Sequence, residues 1–157
     1  MIADLLTDLY QPEAKIIKQL YQRHTDTSDP TKGDCFATCV AMILGLQQDE
    51  VPNFCGIATD WWPGFQKWLE ERHLVAIEVN LPPPPWKNLG ALTPGVPVIL
   101  TGKSPRGDWL HSIVGMTRWD EGFEILYDPH PAGGGFDGPL KHVLFFAALR
   151  PDKAGKP

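Results

Sequence analysis

Three side chains in this sequence could act together on a carbonyl group: Cys35, His111 and Asp128. Cys35 follows Asp34 and opens the run Cys35-Phe36-Ala37-Thr38-Cys39-Val40-Ala41-Met42-Ile43-Leu44. That run is apolar around nearly its whole circumference, as in a helix buried inside a domain. A thiol at a helix N-terminus meets the positive end of the macrodipole, which favours the nucleophilic thiolate. The N–H groups of the same first turn lack intrahelical partners and can hold an oxyanion. The competing reading of a lone cysteine here is a buried structural thiol.

His111 begins an apolar strand, in Asp108-Trp109-Leu110-His111-Ser112-Ile113-Val114-Gly115. Asp128 ends the next one, in Ile125-Leu126-Tyr127-Asp128-Pro129-His130. A two-residue turn at Asp120-Glu121 would pair Trp119 with Gly122 and set His111 opposite His130. Asp128 is then the diagonal neighbour of His111 on the same face, at about 7–8 Å between backbones. A three-residue turn would send Asp128 to the other face. Of the groups near His111, Asp128 is the expected orienter of the imidazole. His130 would repel an imidazolium, and Asp108 lies an odd number of residues from His111, so the two point to opposite faces of one strand.

Cys35 and Cys39 stand one helical turn apart, which raises a metal site. Zinc would need two more ligands, such as Cys55 and a histidine, and an apolar helix is a poor place for them. Cys39 reads as core, and no metal or other cofactor is expected. Gly133-Gly134-Gly135 lacks the spacing and the strand–helix setting of a phosphate loop, and reads as a flexible loop beside the site.

The elements that must position these residues follow from the pattern. The spacing of Ile2, Leu5, Leu6 and Leu9 predicts a short amphipathic helix before Pro12. Residues 16–21 fit a strand or a helical turn, and residues 24–32 are a polar loop. The central helix is expected over 35–46, with Asp34 as N-cap and Gly45 as stop. A second helix is expected over 60–73, its apolar face made by Trp61, Phe65, Trp68 and Leu69, with Pro63 in its first turn. Residues 74–79, 96–101, 110–117, 123–127 and 143–149 read as strands. Residues 82–85 form a stiff polyproline spacer, residues 119–122 a hairpin turn, and residues from Arg150 a frayed tail. Helices first and strands after give an α+β fold, with helices on an antiparallel sheet.

Gly33-Asp34-Cys35-Phe36-Ala37-Thr38-Cys39-Val40-Ala41-Met42-Ile43-Leu44 resembles the nucleophile helix of papain-like cysteine peptidases. The likeness is nearest to bacterial leader-cleaving peptidases and to cell-wall endopeptidases of that fold. The order cysteine, histidine at a strand start, then Asp at the end of the next strand also suits them. So do the spacings of 76 and 17 residues. The resemblance implies one papain-like domain over 1–157, with Cys35, His111 and Asp128 as a catalytic triad. In such enzymes a Gln shortly before the cysteine completes the oxyanion hole. Asp29 stands at the matching position here, and a carboxylate would repel an oxyanion. If the polar loop is an insertion, Gln22 supplies the donor, with Gln19 as the weaker choice. Trp109 and Asp34, which flank the site in sequence, are expected to bind substrate. The stretches Val51-Pro52-Asn53-Phe54, Ser104-Pro105-Arg106-Gly107 and Asp128-Pro129-His130-Pro131 also resemble small, uncharacterised bacterial and phage proteins.

The remaining composition bounds the function. The chain has 157 residues, is 43% hydrophobic and carries a net charge of −5, enough for one cored domain. It shows no Lys/Arg stripe for nucleic acid and no apolar run long enough for a membrane span. Asp4 and Asp8 stand where a secretory signal would be basic. With three cysteines the chain is therefore expected in the cytoplasm, with free thiols. The expected partner is a peptide or protein substrate. The expected activity is cleavage of a peptide, isopeptide or other amide bond through a thioester, with acyl transfer to an amine as a variant of the same chemistry. The alternative is a catalytically silent binding or inhibitor protein of the same fold, acting on a host factor.

Overall fold

A computed structural model describes residues 17–25, 33–57, 59–83, 94–118 and 122–149. The helix expected before Pro12, most of the polar loop, the end of the proline run, the tip of the hairpin at 119–121 and the tail lie outside those residues. Residues 17–20 form neither helix nor strand.

The central helix, α1 (Cys35–Leu44), is buried at every position from Phe36 to Ile43. Its one polar residue in that stretch, Thr38, turns its hydroxyl back onto the Asp34 carbonyl at 2.9 Å. The helix stops at Gly45, whose φ of 69° is the left-handed value glycine takes without a Cβ clash. A 3-10 turn (Gln48–Glu50) and a short helix, α2 (Phe54–Ile57), lead to α3 (Trp62–Glu70), which carries Pro63 in its first turn. α3 is shorter at both ends than the periodicity predicts. It buries Phe65 and Leu69, around which Phe36, Phe54, Trp61, Trp62 and Trp68 pack their rings.

Five strands follow: β1 (Leu74–Asn80), β2 (Pro97–Lys103), β3 (Leu110–Thr117), β4 (Phe123–Tyr127) and β5 (Leu140–Ala148). They form one sheet in the order β1-β5-β2-β3-β4, antiparallel throughout. The fold is thus α+β. One sheet face offers Ala76, Ile99, Val114, Leu144 and Phe146 to the helices as the main core. Val98, Leu100 and Val143 point the other way and are covered by a smaller cluster that includes Phe136. Gln66 of α3 bonds both the N–H and the carbonyl of Ala76, at 3.0 and 2.7 Å. This fastens the helix to the outer strand and occupies edge groups that would otherwise be open to pairing. Among the described residues no helix is long and apolar enough to cross a membrane.

The β3–β4 hairpin departs from the two-residue turn. Thr117 pairs with Phe123, and the Arg118 N–H donates to the Gly122 carbonyl at 2.9 Å, which leaves three residues between. That register alone would point Asp128 away from the face of His111. It changes within the ladder: Gly115 pairs with Ile125, but Val114 pairs with Tyr127. Leu126 is therefore an extra residue, a β-bulge. The bulge restores the phase that a two-residue turn would have given.

Candidate active site

Cys35 is the first residue of α1. The helical ladder begins with the Thr38 N–H on the Asp34 carbonyl at 2.9 Å, so the N–H groups of Cys35, Phe36 and Ala37 precede it and have no intrahelical acceptor. The Cys35 side chain is half-buried. It opens on a cavity of about 260 Å³ shared with Gln22, His111, Trp109 and His130.

His111 is buried. Its Nε2 lies 2.8 Å from Asp128 Oδ1, and Cys35 shares the cavity wall with its ring and acts on its charge. Burial works against the charged imidazole, but the bond to Asp128 and the influence of Cys35 outweigh it and raise the His111 pKa above its ordinary value. Burial likewise opposes the Asp128 carboxylate. The bond from His111 and the N–H groups of His130 and Gly135 prevail and hold its pKa below the usual carboxylate range. Those two N–H groups lie at 2.8 and 3.1 Å from the carboxylate, so Asp128 is aimed as well as charged. Gly135 belongs to a run of three glycines with φ of 61°, 106° and 65°. Arg106 steadies that run by donating from Nη1 to the Gly133 carbonyl at 2.5 Å. The triglycine is thus part of the support for Asp128.

The other acceptors considered for His111 are placed elsewhere. Asp108 is solvent-exposed and faces Lys103 at 4.0 Å. The His130 ring sits 6.4 Å from that of His111, centre to centre. Its Nδ1 receives the Ala132 N–H at 3.1 Å. Burial, then the charges of Arg106 and His111, lower its pKa.

Gln22 lies on the cavity wall. Its Nε2 donates to the His24 carbonyl at 2.8 Å, which leaves the second amide hydrogen available. Its Oε1 is buried without a hydrogen-bond partner among the described residues. Gln19 instead points its amide at the Asp128 carbonyl, at 3.4 Å. Two ties fix the Gln22 segment. The Gln22 N–H donates to the Pro129 carbonyl at 2.8 Å, and the N–H groups of Arg23 and His24 donate to the Asp34 carboxylate at 3.2 and 3.1 Å.

Asp34 therefore differs from both of its expected uses. It makes no side-chain cap on α1, and it is not among the residues lining the cavity. Its carboxylate is committed to the chain before the helix. Together these links close a ring: Asp34 joins the Cys35 helix to the Gln22 segment, Gln22 joins Pro129, and Asp128 joins His111, which shares the cavity wall with Cys35. Trp109 lines the cavity. Its ring covers Gly107 so closely that a Cβ there would come within 1.9 Å of it.

Several wall residues carried no sequence signal. Thr101, Ser112, His142 and Glu78 come from four strands of the sheet, β2, β3, β5 and β1, and Trp61 and Cys55 come from the helical side. The other two thiols are poor nucleophiles. Burial, then the nearby Cys35, pushes Cys39 up and Cys55 up to about 12. Comparison with protein-family models, with curated proteins and with solved structures finds no match.

Proposed function

We propose that this chain is a papain-like thiol hydrolase that opens a peptide, isopeptide or other amide bond through a thioester on Cys35. The observation that carries the reading is the bonding of His111. One ring nitrogen is held by a half-buried carboxylate, and a cysteine at the start of a buried helix lies near enough to act on the same ring. Asp128 fixes the tautomer and stabilises the imidazolium, as the orienting member of a triad does.

His111 holds the proton of Cys35, and the thiolate attacks the carbonyl carbon. The resulting oxyanion takes N–H groups of the first turn of α1 and the free amide hydrogen of Gln22. The C–N bond breaks as His111 passes its proton to the leaving nitrogen, and the thioester remains. Water then attacks with His111 as base, and Cys35 is released. An amine in place of water would give acyl transfer. The three free thiols suit a reducing compartment, and the proposal places the protein in the cytoplasm.

The test is to trap the acyl-enzyme. The protein is incubated with a library of amide and activated-ester peptides, quenched in acid and mapped by mass spectrometry. An acyl adduct on Cys35, absent in Cys35→Ala and accumulating in His111→Ala with activated esters, supports the reading. Peptides that bind without ever acylating Cys35 would instead favour a silent binding protein.

A further inference from the structure

The cavity above Cys35 does not end at the catalytic residues. It runs along the sheet past Thr101 and His142 to Glu78, and along the helical side to Trp61. A second, shallower cavity begins there, lined by Thr59, Asp60, Trp61, Trp62 and Glu78. Trp61 and Glu78 belong to both, so the second cavity adjoins the first and extends the cleft.

The far end has a distinct chemistry. Two half-buried indoles stand beside two carboxylates, and no Lys or Arg lines this end among the described residues. The indoles are rigidly placed. Trp61 packs on Phe36 and Trp62 on Phe65, with ring centres 5.0 and 5.8 Å apart. Among the described residues neither carboxylate pairs with a Lys or Arg. Asp60 is exposed and has no ion pair among the described residues. The His142 Nδ1 lies 3.4 Å from Glu78, but its short contact, at 2.6 Å, is to Asn80. Aromatic faces together with carboxylates attract a cationic nitrogen, through the ring quadrupole and by direct charge.

We infer that this end of the cleft is a subsite for a cationic nitrogen, a Lys or Arg side chain or a free α-amine, on the acyl side of the substrate. The assignment of sides rests on the proposed function: the leaving amine takes its proton from His111 and departs toward β3, and the acyl part lies the other way. Glu78 is on β1, three strand intervals from β3, or about 14 Å across the sheet. At about 3.4 Å per extended residue, the cation falls a few residues before the scissile carbonyl. The subsite would select peptides with a basic residue or a free N-terminus at that distance.

The test measures binding rather than bond cleavage, so it stands apart from the acyl trap. Cys35→Ala protein is titrated by calorimetry with N-acetylated, C-amidated tetra-alanine peptides. Each carries one Lys, Arg, ε-acetyl-lysine or norleucine, scanned through the positions. A matched set with a free α-amine separates the two sources of the cation. Lys or Arg, or the free amine, should bind about tenfold tighter than the neutral isosteres at one position, from a cation–π contact plus a part-exposed ion pair. Glu78→Gln, an exposed and conservative change, should abolish that preference, and high salt should weaken it. Equal binding of Lys and norleucine at every position, no binding by any peptide, or a preference that survives in the Glu78→Gln/Asp60→Asn double variant would overturn the subsite. A retained preference together with a failed acyl trap would discard the hydrolase and keep the binding site.

Discussion

Replacing Asp128 by alanine separates its two jobs. Its carboxylate accepts the His111 ring at 2.8 Å and the N–H groups of His130 and Gly135 at 2.8 and 3.1 Å. Hydrogen bonds to a charged acceptor contribute about 1.5–3 kcal/mol each. At this half-buried place water can take over part of the loss, so the total cost is about 3–4 kcal/mol. That is less than the ~5–15 kcal/mol stability of a typical domain, so the variant stays folded and melts about 10 °C lower. The effect on chemistry is separate. Without Asp128, burial of His111 is opposed only by Cys35. Loss of one charged bond, worth about 1.5–3 kcal/mol, should lower the His111 pKa and cut the population of a thiolate–imidazolium pair by about 10–100-fold. The assay is the second-order rate of iodoacetamide labelling of Cys35 from pH 5 to 9, read by mass spectrometry. Asp128→Ala should label about 10–100-fold more slowly near pH 6. Asp108→Ala, which removes only an exposed carboxylate facing Lys103, should match the parent. An unmoved profile for Asp128→Ala, or an equal fall for Asp108→Ala, would refute this account of the base.

Three further outcomes are expected. At limiting iodoacetamide, Cys35 should be labelled well before Cys39 and Cys55, whose thiols burial pushes up; equal labelling of all three in the folded protein would rule out a selective nucleophile. Asp34→Ala should cost about 2–3 kcal/mol in chemical denaturation, since it strips the acceptor from two N–H groups. It should also slow acylation by up to about 10²-fold, the loss expected when an oxyanion donor is displaced, whereas Gln22→Ala should slow acylation without the stability loss. The His111–Asp128 pair should also stabilise the fold within a defined pH window. The raised His111 pKa adds stability that is present below the ordinary 6.5 and lost as pH rises through the folded value. The lowered Asp128 pKa adds stability that is present above the ordinary 3.8 and lost as pH falls through the folded value. The melting-temperature gap between the parent and Asp128→Asn should thus be widest between those limits and shrink on either side.

The sequence was most legible where one physical signal dominated. An all-round apolar run could only be a buried helix, and α1 follows it closely. β3 and β4 fall on the expected residues because their apolar runs are bounded by turn chemistry. Short-range pattern cannot show which backbone groups a side chain will find in the fold. Asp34 looks like a cap in sequence, yet its carboxylate goes to N–H groups ten and eleven residues earlier in the chain. The triglycine looked like a loose loop, yet Gly135 fixes Asp128. The far wall of the cleft was out of reach because Glu78 and His142 come to line the same cavity as Cys35 only through strand order, and a single sequence does not reveal that order.

The bulge at Leu126 makes the site sensitive to counting. In a ladder with a two-residue repeat, one residue more or fewer turns every later side chain to the opposite face. The hairpin here contains two such odd steps, a three-residue connection and the extra Leu126, and they cancel before Asp128. Shortening the connection by one residue, or deleting Leu126, would each carry the carboxylate out of reach of His111 although none of Cys35, His111 and Asp128 had changed. Making both changes together would bring it back. Viable length variation in this hairpin should therefore come in matched pairs, so aligned sequences of different loop length can share a site that comparison position by position would miss.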